Sequence, residues 1–184
     1  MEEKKSPLVN SCSFAGIKPI MVDLPYPPLE VQEKNRNYAN LLSVDYCGSV
    51  SELSAITQYI NNENRLSCEK CPLAKTILGI AIAEMMHLQK LGELIHLLGG
   101  NVDFVAKLRN GKQLMWTPEY LNIPQQAKKM LMADIEAERA AIKQYKMHIT
   151  MIKDNCVNRV LMRIIKDEEY HIMILQTLMN EINN

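Results

Sequence analysis

Long hydrophobic runs, aromatic residues and any excess of one charge are scarce in this sequence of 184 residues. No apolar run reaches the ~18 residues that cross a bilayer, and no apolar segment follows the charged N-terminus as in a signal peptide. Because 21 basic residues balance 21 acidic ones, no net positive field predicts binding to nucleic acid or an anionic membrane. With 5% aromatic residues and seven glycines, the composition disfavours many-stranded β, collagen-like and low-complexity proteins. A single globular domain is expected.

The chain contains five cysteines, an odd number. In a chain without an export signal this predicts reduced thiols and a cytoplasmic location. Cys68 and Cys71 form a Cys-x-x-Cys pair just before a predicted helix. Such a pair serves as a redox couple in some proteins, because a helix N-terminus lowers a thiol pKa, and as half of an intersubunit metal site in others. Without a second pair we interpret these two cysteines as incidental.

Proline divides the chain. Five of the eight prolines lie in residues 1–40, three of them between Leu24 and Pro28, so this part is predicted to be an extended arm. Residues 41–184 are predicted to form a helical bundle with a connection at residues 100–124, because residues 125–184 contain neither glycine nor proline and residues 41–99 contain Pro72 as their one proline.

Four helices are predicted in the second part, over about residues 40–62, 72–98, 124–153 and 157–182. Short connections join the first to the second and the third to the fourth, so each pair should be antiparallel. About 25 residues join the second helix to the third, which is enough chain to return along the bundle, with a short hairpin at Asn110-Gly111 as the one strand signal. The expected fold is therefore all-α, a bundle of two antiparallel helix pairs joined by one long crossover.

The same Glu-x-x-His motif stands on two of these helices, as Glu84 with His87 and as Glu168 with His171. The spacing places carboxylate and imidazole one turn apart on one face of the helix, and in both cases that is the apolar face. Because an unpaired carboxylate in a core costs several kcal/mol, two such motifs need a partner for their charge.

The other two helices each supply one more carboxylate to the predicted core, Glu52 and Glu138. Four carboxylates balance two divalent cations, and a set of carboxylates with two imidazoles suits iron or manganese better than zinc-thiolate or calcium chemistry. One Glu from each of two helices and Glu-x-x-His from each of the others is the ligand pattern of dinuclear bundles. The alternative is that both histidines are satisfied core residues and the glutamates are solvated.

The sequence resembles the ferritin-like superfamily, and in particular bacterioferritins, rubrerythrins and manganese catalases, over about residues 42–180. Four segments carry the resemblance: Ser51–Tyr59, Glu84–His87, Asp134–Glu138 and Asp167–His171. It implies a ferritin-like four-helix bundle that holds two iron or two manganese ions per chain. In that arrangement Glu84 and Glu168 bridge the metals, Glu52 and Glu138 are terminal ligands, and each histidine binds one ion.

Two positions bear on how far the resemblance to these families extends to function. Rubrerythrins carry a further carboxylate three residues after the helix-3 ligand, and this chain has Ala141 there. Met85 matches the position at which bacterioferritins ligate haem, although with twelve methionines in the chain a core or surface role is the simpler interpretation.

Five residues are predicted to lie around the ligands. Asp167 is expected to accept from the outer nitrogen of His87 and so fix its tautomer, with a solvated helix position as the alternative. Asp134 is the candidate for the same role toward His171. Tyr59, Tyr145 and Tyr170 lie near the site by helical spacing, as hydrogen-bond donors or as ordinary core tyrosines.

Two functions stay open at this point. In one, the dinuclear centre is an enzyme site that reacts with dioxygen or hydrogen peroxide, in a small homo-oligomer (a dimer is favoured) with an external electron donor where one is needed. In the other, the centre oxidises Fe(II) for ferritin-type storage. Neither requires nucleic acid or a membrane as a partner.

Overall fold

The computed structural model of the protein describes residues 12–183, so the first eleven residues of the predicted arm lie outside the described part. Five α-helices span this part: α1 (Arg36–Cys47), α2 (Glu52–Leu66), α3 (Cys71–Leu97), α4 (Ala127–Met151) and α5 (Asn155–Asn183). A two-stranded antiparallel sheet, β1 (Val105–Lys107) with β2 (Gln113–Met115), and a 3-10 helix, Pro118–Tyr120, lie in the crossover. The predicted ferritin-like bundle with one long crossover is confirmed, and so is the hairpin.

The first predicted helix is wrong in one respect, because it is two helices separated at residues 48–51. Gly48 turns away from helical geometry while its N–H still donates to the Val44 carbonyl, and a Cβ at this position would stand 2.6 Å from that oxygen. Ser51 then starts α2 by accepting a hydrogen bond from the Ser54 N–H. The break places Glu52 in the first turn of α2, with its side chain buried.

The helices pack as two antiparallel pairs, α2 with α3 and α4 with α5, while α1 packs on α3 and β1. Two apolar clusters fill the bundle. One includes Leu91, Leu94 and Val160, and the other includes Ile77, Leu131 and Leu175. The buried polar side chains of Glu84 and His87 in α3, and of Glu168 and His171 in α5, lie between these clusters, so the candidate site occupies the middle of the bundle.

The helix α3 is long and apolar enough to cross a membrane by length and composition, although half of its most apolar window is buried inside the fold. A core helix of a bundle passes the same test, and α3 carries buried Glu84 and His87 at its centre. The described part of the chain contains no other helix of this kind.

Residues 12–35 contain no helix or strand, and α1 begins inside the predicted arm of residues 1–40. The prediction that all cysteines are reduced is wrong, because Cys12 in the arm forms a disulfide with Cys71, the first residue of α3. Cys71 is therefore neither incidental nor the redox partner of Cys68, which is a free, exposed cysteine. The two bonded residues are 59 positions apart, so no local spacing signals the pair.

Candidate metal centre

Six buried side chains from four helices converge at the middle of the bundle, and they are the six predicted from the sequence. They are Glu52 from α2, Glu84 and His87 from α3, Glu138 from α4, and Glu168 and His171 from α5. None is more than 3% exposed. Their potential ligand atoms form two overlapping groups, each within 4.8 Å, and both groups contain Glu84 and Glu168. This sharing is the geometry that two bridging carboxylates would have.

The first group surrounds His87. Its Nδ1 lies 2.9 Å from Glu84 Oε2, 3.3 Å from Glu168 Oε1 and 3.6 Å from Glu52 Oε2. Three carboxylate oxygens thus face one imidazole nitrogen from three different helices. Such a set matches the protein ligands of one metal ion in a dinuclear carboxylate bundle.

The second group repeats this arrangement around His171. Its Nδ1 lies 2.9 Å from Glu84 Oε1, 3.0 Å from Glu168 Oε2 and 3.3 Å from Glu138 Oε1. The two oxygens of each shared carboxylate therefore divide between the two histidines. Glu84 and Glu168 are placed to bridge, and Glu52 and Glu138 to bind one side each.

The outer nitrogens of the two histidines have different partners. His87 Nε2 lies 3.2 Å from Asp167 Oδ2, which is the contact predicted from the sequence. His171 Nε2 donates to the Ile20 carbonyl at 2.8 Å, and a carbonyl only accepts, so the proton is on Nε2 and Nδ1 faces the cluster. The prediction that Asp134 is the outer partner of His171 is wrong, because Asp134 accepts hydrogen bonds from Gln58 and Asn62 instead.

The charges of the cluster indicate that a cation fits it. Burial alone would lower the pKa of His87, but Glu168 and Glu84 raise it well above its ordinary value, and Glu84 does the same for His171. Glu84 Oε1 is buried and makes no hydrogen bond to any of residues 12–183, although it lies 2.9 Å from His171 Nδ1. Four carboxylates, two imidazoles directed inward and one buried oxygen without a hydrogen bond are a donor set that suits iron or manganese ions.

The two terminal carboxylates are bound by tyrosines from the opposite helix. The Tyr145 hydroxyl of α4 donates to Glu52 of α2, and the Tyr59 hydroxyl of α2 donates to Glu138 of α4. Burial, followed by the charges of Glu84 and Glu168, raises the pKa of both carboxyl groups well above the ordinary value. Tyr170, the third predicted tyrosine, is half-buried and makes no hydrogen bond to the six residues within residues 12–183.

Asp167 is held by more than His87. Arg163 lies one turn before it on α5, with its guanidinium 2.7 Å from Asp167 Oδ2. Burial would raise the pKa of Asp167, but hydrogen bonds from His87, Arg163, Tyr26 and the Val22 N–H lower it to about 2. The carboxylate therefore stays charged and accepts from His87, which fixes the orientation of that ring.

Residues 48–179 match the rubrerythrin family. The chain belongs to the rubrerythrin family. It is also similar to a probable manganese catalase of Clostridium acetobutylicum, with 25% identity over 173 residues that cover 85% of this chain and 76% of that protein.

Two solved structures show the same fold. The crystal structure of KatB, a manganese catalase from Anabaena, superposes with a TM-score of 0.74 at 25% identity, covering 88% of this chain and 79% of that one. The bacterioferritin of Desulfovibrio desulfuricans gives a TM-score of 0.68 at 25% identity, covering 80% and 81%. All six residues of the cluster lie inside the part that matches the rubrerythrin family, and the arm lies outside it.

A small cavity of about 70 Å³ adjoins the cluster between α2 and α4. Its lining includes all four carboxylates of the cluster together with Gln58, Tyr59, Tyr120, Ala141, Gln144 and Tyr145. Ala141 occupies the position of the further carboxylate that the resemblance to rubrerythrins implies, and its small side chain leaves this space open. The cavity has room for a few water-sized molecules and for nothing much larger.

Sequence reasoning missed a second buried polar cluster at this cavity. His148 Nδ1 of α4 lies 2.7 Å from Asp45 Oδ2 of α1, and Gln144 donates both to Asp45 and to the Val50 carbonyl. The sequence signal for this cluster was the spacing of Gln144 and His148, which places both side chains on one face of α4. Met85, by contrast, lies on the surface of α3 with 43% exposure, and it contributes no atom to the two groups of potential ligands.

Proposed function

We propose that this protein is a dinuclear metal-carboxylate enzyme that disproportionates hydrogen peroxide into water and dioxygen, with manganese as its metal. The observation that carries the proposal is the set of four carboxylates and two imidazoles beside a cavity of about 70 Å³. Two divalent cations would balance the four negative charges of this set. The similarity to two manganese catalases supports it.

Each residue of the cluster has a defined part in holding the ions. Glu84 and Glu168 would bridge them, because their two oxygens face different histidines. Glu52 with His87 would complete one side, and Glu138 with His171 the other. The bound ions would supply the chemistry, which is the exchange of two electrons between two peroxide molecules, so that 2 H₂O₂ give 2 H₂O and O₂.

The protein itself contributes selection and positioning around these ions. The cavity admits hydrogen peroxide and excludes bulky peroxides, because its volume is about 70 Å³. Tyr59 and Tyr145 orient Glu138 and Glu52 by donating to one oxygen of each. Disproportionation needs no external electron donor, because one peroxide molecule is oxidised as the other is reduced.

The test compares manganese and iron in the same protein. The metal-free protein is loaded with Mn(II) or Fe(II) under nitrogen, and the dioxygen released from hydrogen peroxide is measured with an oxygen electrode. We expect release from the manganese form and little turnover of tert-butyl hydroperoxide. Ala141→Leu should keep its metal but lose activity, because the larger side chain fills the cavity. A manganese-loaded protein that releases no dioxygen would contradict the proposal.

Ferritin-type iron oxidation and storage is the second candidate, favoured by the bacterioferritin neighbour. It predicts a large multi-subunit shell and many iron atoms per chain after Fe(II) is added in air. Size-exclusion chromatography and iron analysis separate the two functions, because a small oligomer with at most two metals per chain supports the catalase proposal.

A further inference from the structure

The arm contacts both helices that carry the Glu-x-x-His motifs. The Ile20 N–H donates to the Gly79 carbonyl of α3 at 2.9 Å, and the Ile20 carbonyl accepts from His171 of α5 at 2.8 Å. One residue of the arm therefore links α3 to α5 through its backbone. The histidine in this link is the one whose inner nitrogen faces Glu84, Glu138 and Glu168.

The arm also holds the carboxylate that contacts the other histidine. Asp167 accepts from the Val22 N–H at 2.9 Å and from the Tyr26 hydroxyl at 2.7 Å. Arg163 connects the same elements, because it pairs with Asp167 and donates to the Val22 and Leu24 carbonyls. The orientation of His87 thus depends on the arm through one intermediate carboxylate.

Two further features fix the arm in this place. The Tyr26 ring contacts two cations, with the Arg163 guanidinium 4.3 Å and the Lys90 ammonium 4.4 Å from its centroid. The disulfide from Cys12 ties the start of the described arm to the first turn of α3.

The arm packs closely against α3 at Gly79, so a substitution at this glycine would displace the arm. A Cβ at Gly79 would stand 2.9 Å from two side-chain carbons of Ile20 and 3.1 Å from the Lys18 carbonyl oxygen. The Lys18 carbonyl is backbone and moves only with the arm. Gly79 is therefore required by the approach of the arm, while its own helix would accept alanine more readily than glycine.

We propose that residues 18–26 of the arm position both metal-binding histidines through their outer nitrogens. In this way the arm sets the affinity with which the protein retains its metal ions. This inference rests on the proposed function, because it takes the cluster to be a metal site. Partners of the outer histidine nitrogen orient the ring and raise its basicity, and their loss costs ~10–100-fold in metal affinity. Ile20, Val22 and Tyr26 are positioning residues in this sense.

The decisive experiment compares Gly79→Ala with Gly92→Ala in the full-length protein. Both changes place alanine in α3, but a Cβ at Gly92 meets only Tyr46 and Val102 carbons, at ordinary distances of 3.4 and 3.5 Å. The manganese-loaded proteins are mixed with excess EDTA and the release of Mn(II) is followed. We expect Gly79→Ala to release Mn(II) about tenfold faster than wild type, and Gly92→Ala to match wild type.

A spectroscopic measurement separates positioning from general stability. In the protein loaded with diamagnetic Zn(II), the Nε2 proton of His171 should give an NMR signal protected by its bond to Ile20. Gly79→Ala should speed exchange of this proton, and Gly92→Ala should not. The melting temperatures of the metal-free variants show whether either change acts on the fold as a whole.

Two other variants keep the inference open to refutation if Gly79→Ala folds poorly. Tyr26→Phe removes one hydrogen bond to Asp167, and Cys12→Ser removes the tether, so each should also speed the release of Mn(II). Wild-type retention in Gly79→Ala or, if that variant does not fold, in both Tyr26→Phe and Cys12→Ser would overturn the role of the arm. A wild-type protein that takes up neither manganese nor iron would instead overturn the proposed function, and the inference with it.

Discussion

The two halves of the candidate centre have the same inner residues and different outer ones. Each half presents a histidine Nδ1 to three carboxylates at distances between 2.9 and 3.6 Å. Behind His87 stands a charged carboxylate, Asp167, from a helix of the bundle. Behind His171 stands the neutral backbone carbonyl of Ile20, from the arm.

This difference separates what the bundle supplies from what the rest of the chain adds. A carboxylate behind a histidine accepts a charge-assisted hydrogen bond, which makes the ring a stronger electron donor than a carbonyl partner does. The His87 side should therefore hold its ion more tightly than the His171 side. Substitutions that remove or alter one half at a time test this asymmetry.

The largest effect is expected from the double change Glu168→Gln and His171→Ala. It removes a bridging carboxylate and one histidine, so binding of the second ion should be abolished and the first weakened. Saturating metal at a thousandfold excess over Kd stabilises a folded protein by about 4 kcal/mol, or ~10 °C in melting temperature for a chain of this size. Calorimetry of the metal-free and the loaded protein should show this difference in melting temperature for wild type. Most of the difference should be absent in the double variant.

Glu169→Gln is the matched control for that change. Glu169 is adjacent in sequence, but it is exposed and pairs with exposed Lys146 at 3.7 Å. Its variant should keep the full difference between metal-free and loaded protein. Equal melting temperatures in wild type with and without saturating metal would show that the cluster binds no ion.

Asp167→Asn should act on the His87 half. The variant loses the charge that pairs with Arg163, and breaking a buried ion pair costs about 3–5 kcal/mol of unfolding free energy. Metal affinity should fall by about 10–100-fold, because Asp167 no longer holds His87 as a charged acceptor. Competition with a chelator of known affinity measures the second effect separately. Unchanged affinity would remove the asymmetry that we infer between the halves.

Asp134→Asn should leave metal affinity unchanged, because Asp134 does not contact His171. Its effect is on stability: burial, opposed only in part by hydrogen bonds from Gln58 and Asn62, raises the pKa of Asp134 to about 7. The fold therefore favours the protonated form, and this contribution to stability is lost as pH rises from about 4 to about 7.

The measurement follows from that sign. Denaturant unfolding of the metal-free proteins should show the unfolding free energy of Asp134→Asn rising, relative to that of wild type, by about 2–3 kcal/mol between pH 5 and pH 8. A variant that instead loses metal affinity as Asp167→Asn does would restore Asp134 as the outer partner of His171, against the structure.

The inner residues could be predicted from the sequence because helical spacing decides where they lie. Glu84 with His87, and Glu168 with His171, are three residues apart on an apolar face, and four packed helices bring such faces together. Asp167 was predicted for the same reason, since it precedes Glu168 on a bundle helix. These contacts need only a helix period and a bundle.

The outer residues of the second half could not be predicted in this way. The carbonyl of Ile20 belongs to every residue type, and the disulfide between Cys12 and Cys71 joins positions 59 residues apart. The division of the first helix at Gly48 had a local signal, a glycine beside Ser49, but its consequence depended on contact with Val44. Long-range contacts of an irregular segment leave no periodic trace in the sequence.

The smallest effect should come from the tyrosines, where the halves are alike. Tyr145 donates to Glu52 and Tyr59 donates to Glu138, so each terminal carboxylate has one hydroxyl partner from the facing helix. Changing either tyrosine to phenylalanine removes one hydrogen bond and should cost about 1 kcal/mol of unfolding free energy in the loaded protein. Because the two contacts are equivalent, the two losses should be similar in size. Denaturant unfolding with saturating Mn(II) measures both, and a much larger loss for one tyrosine would show that the asymmetry of the centre extends inward to its terminal carboxylates.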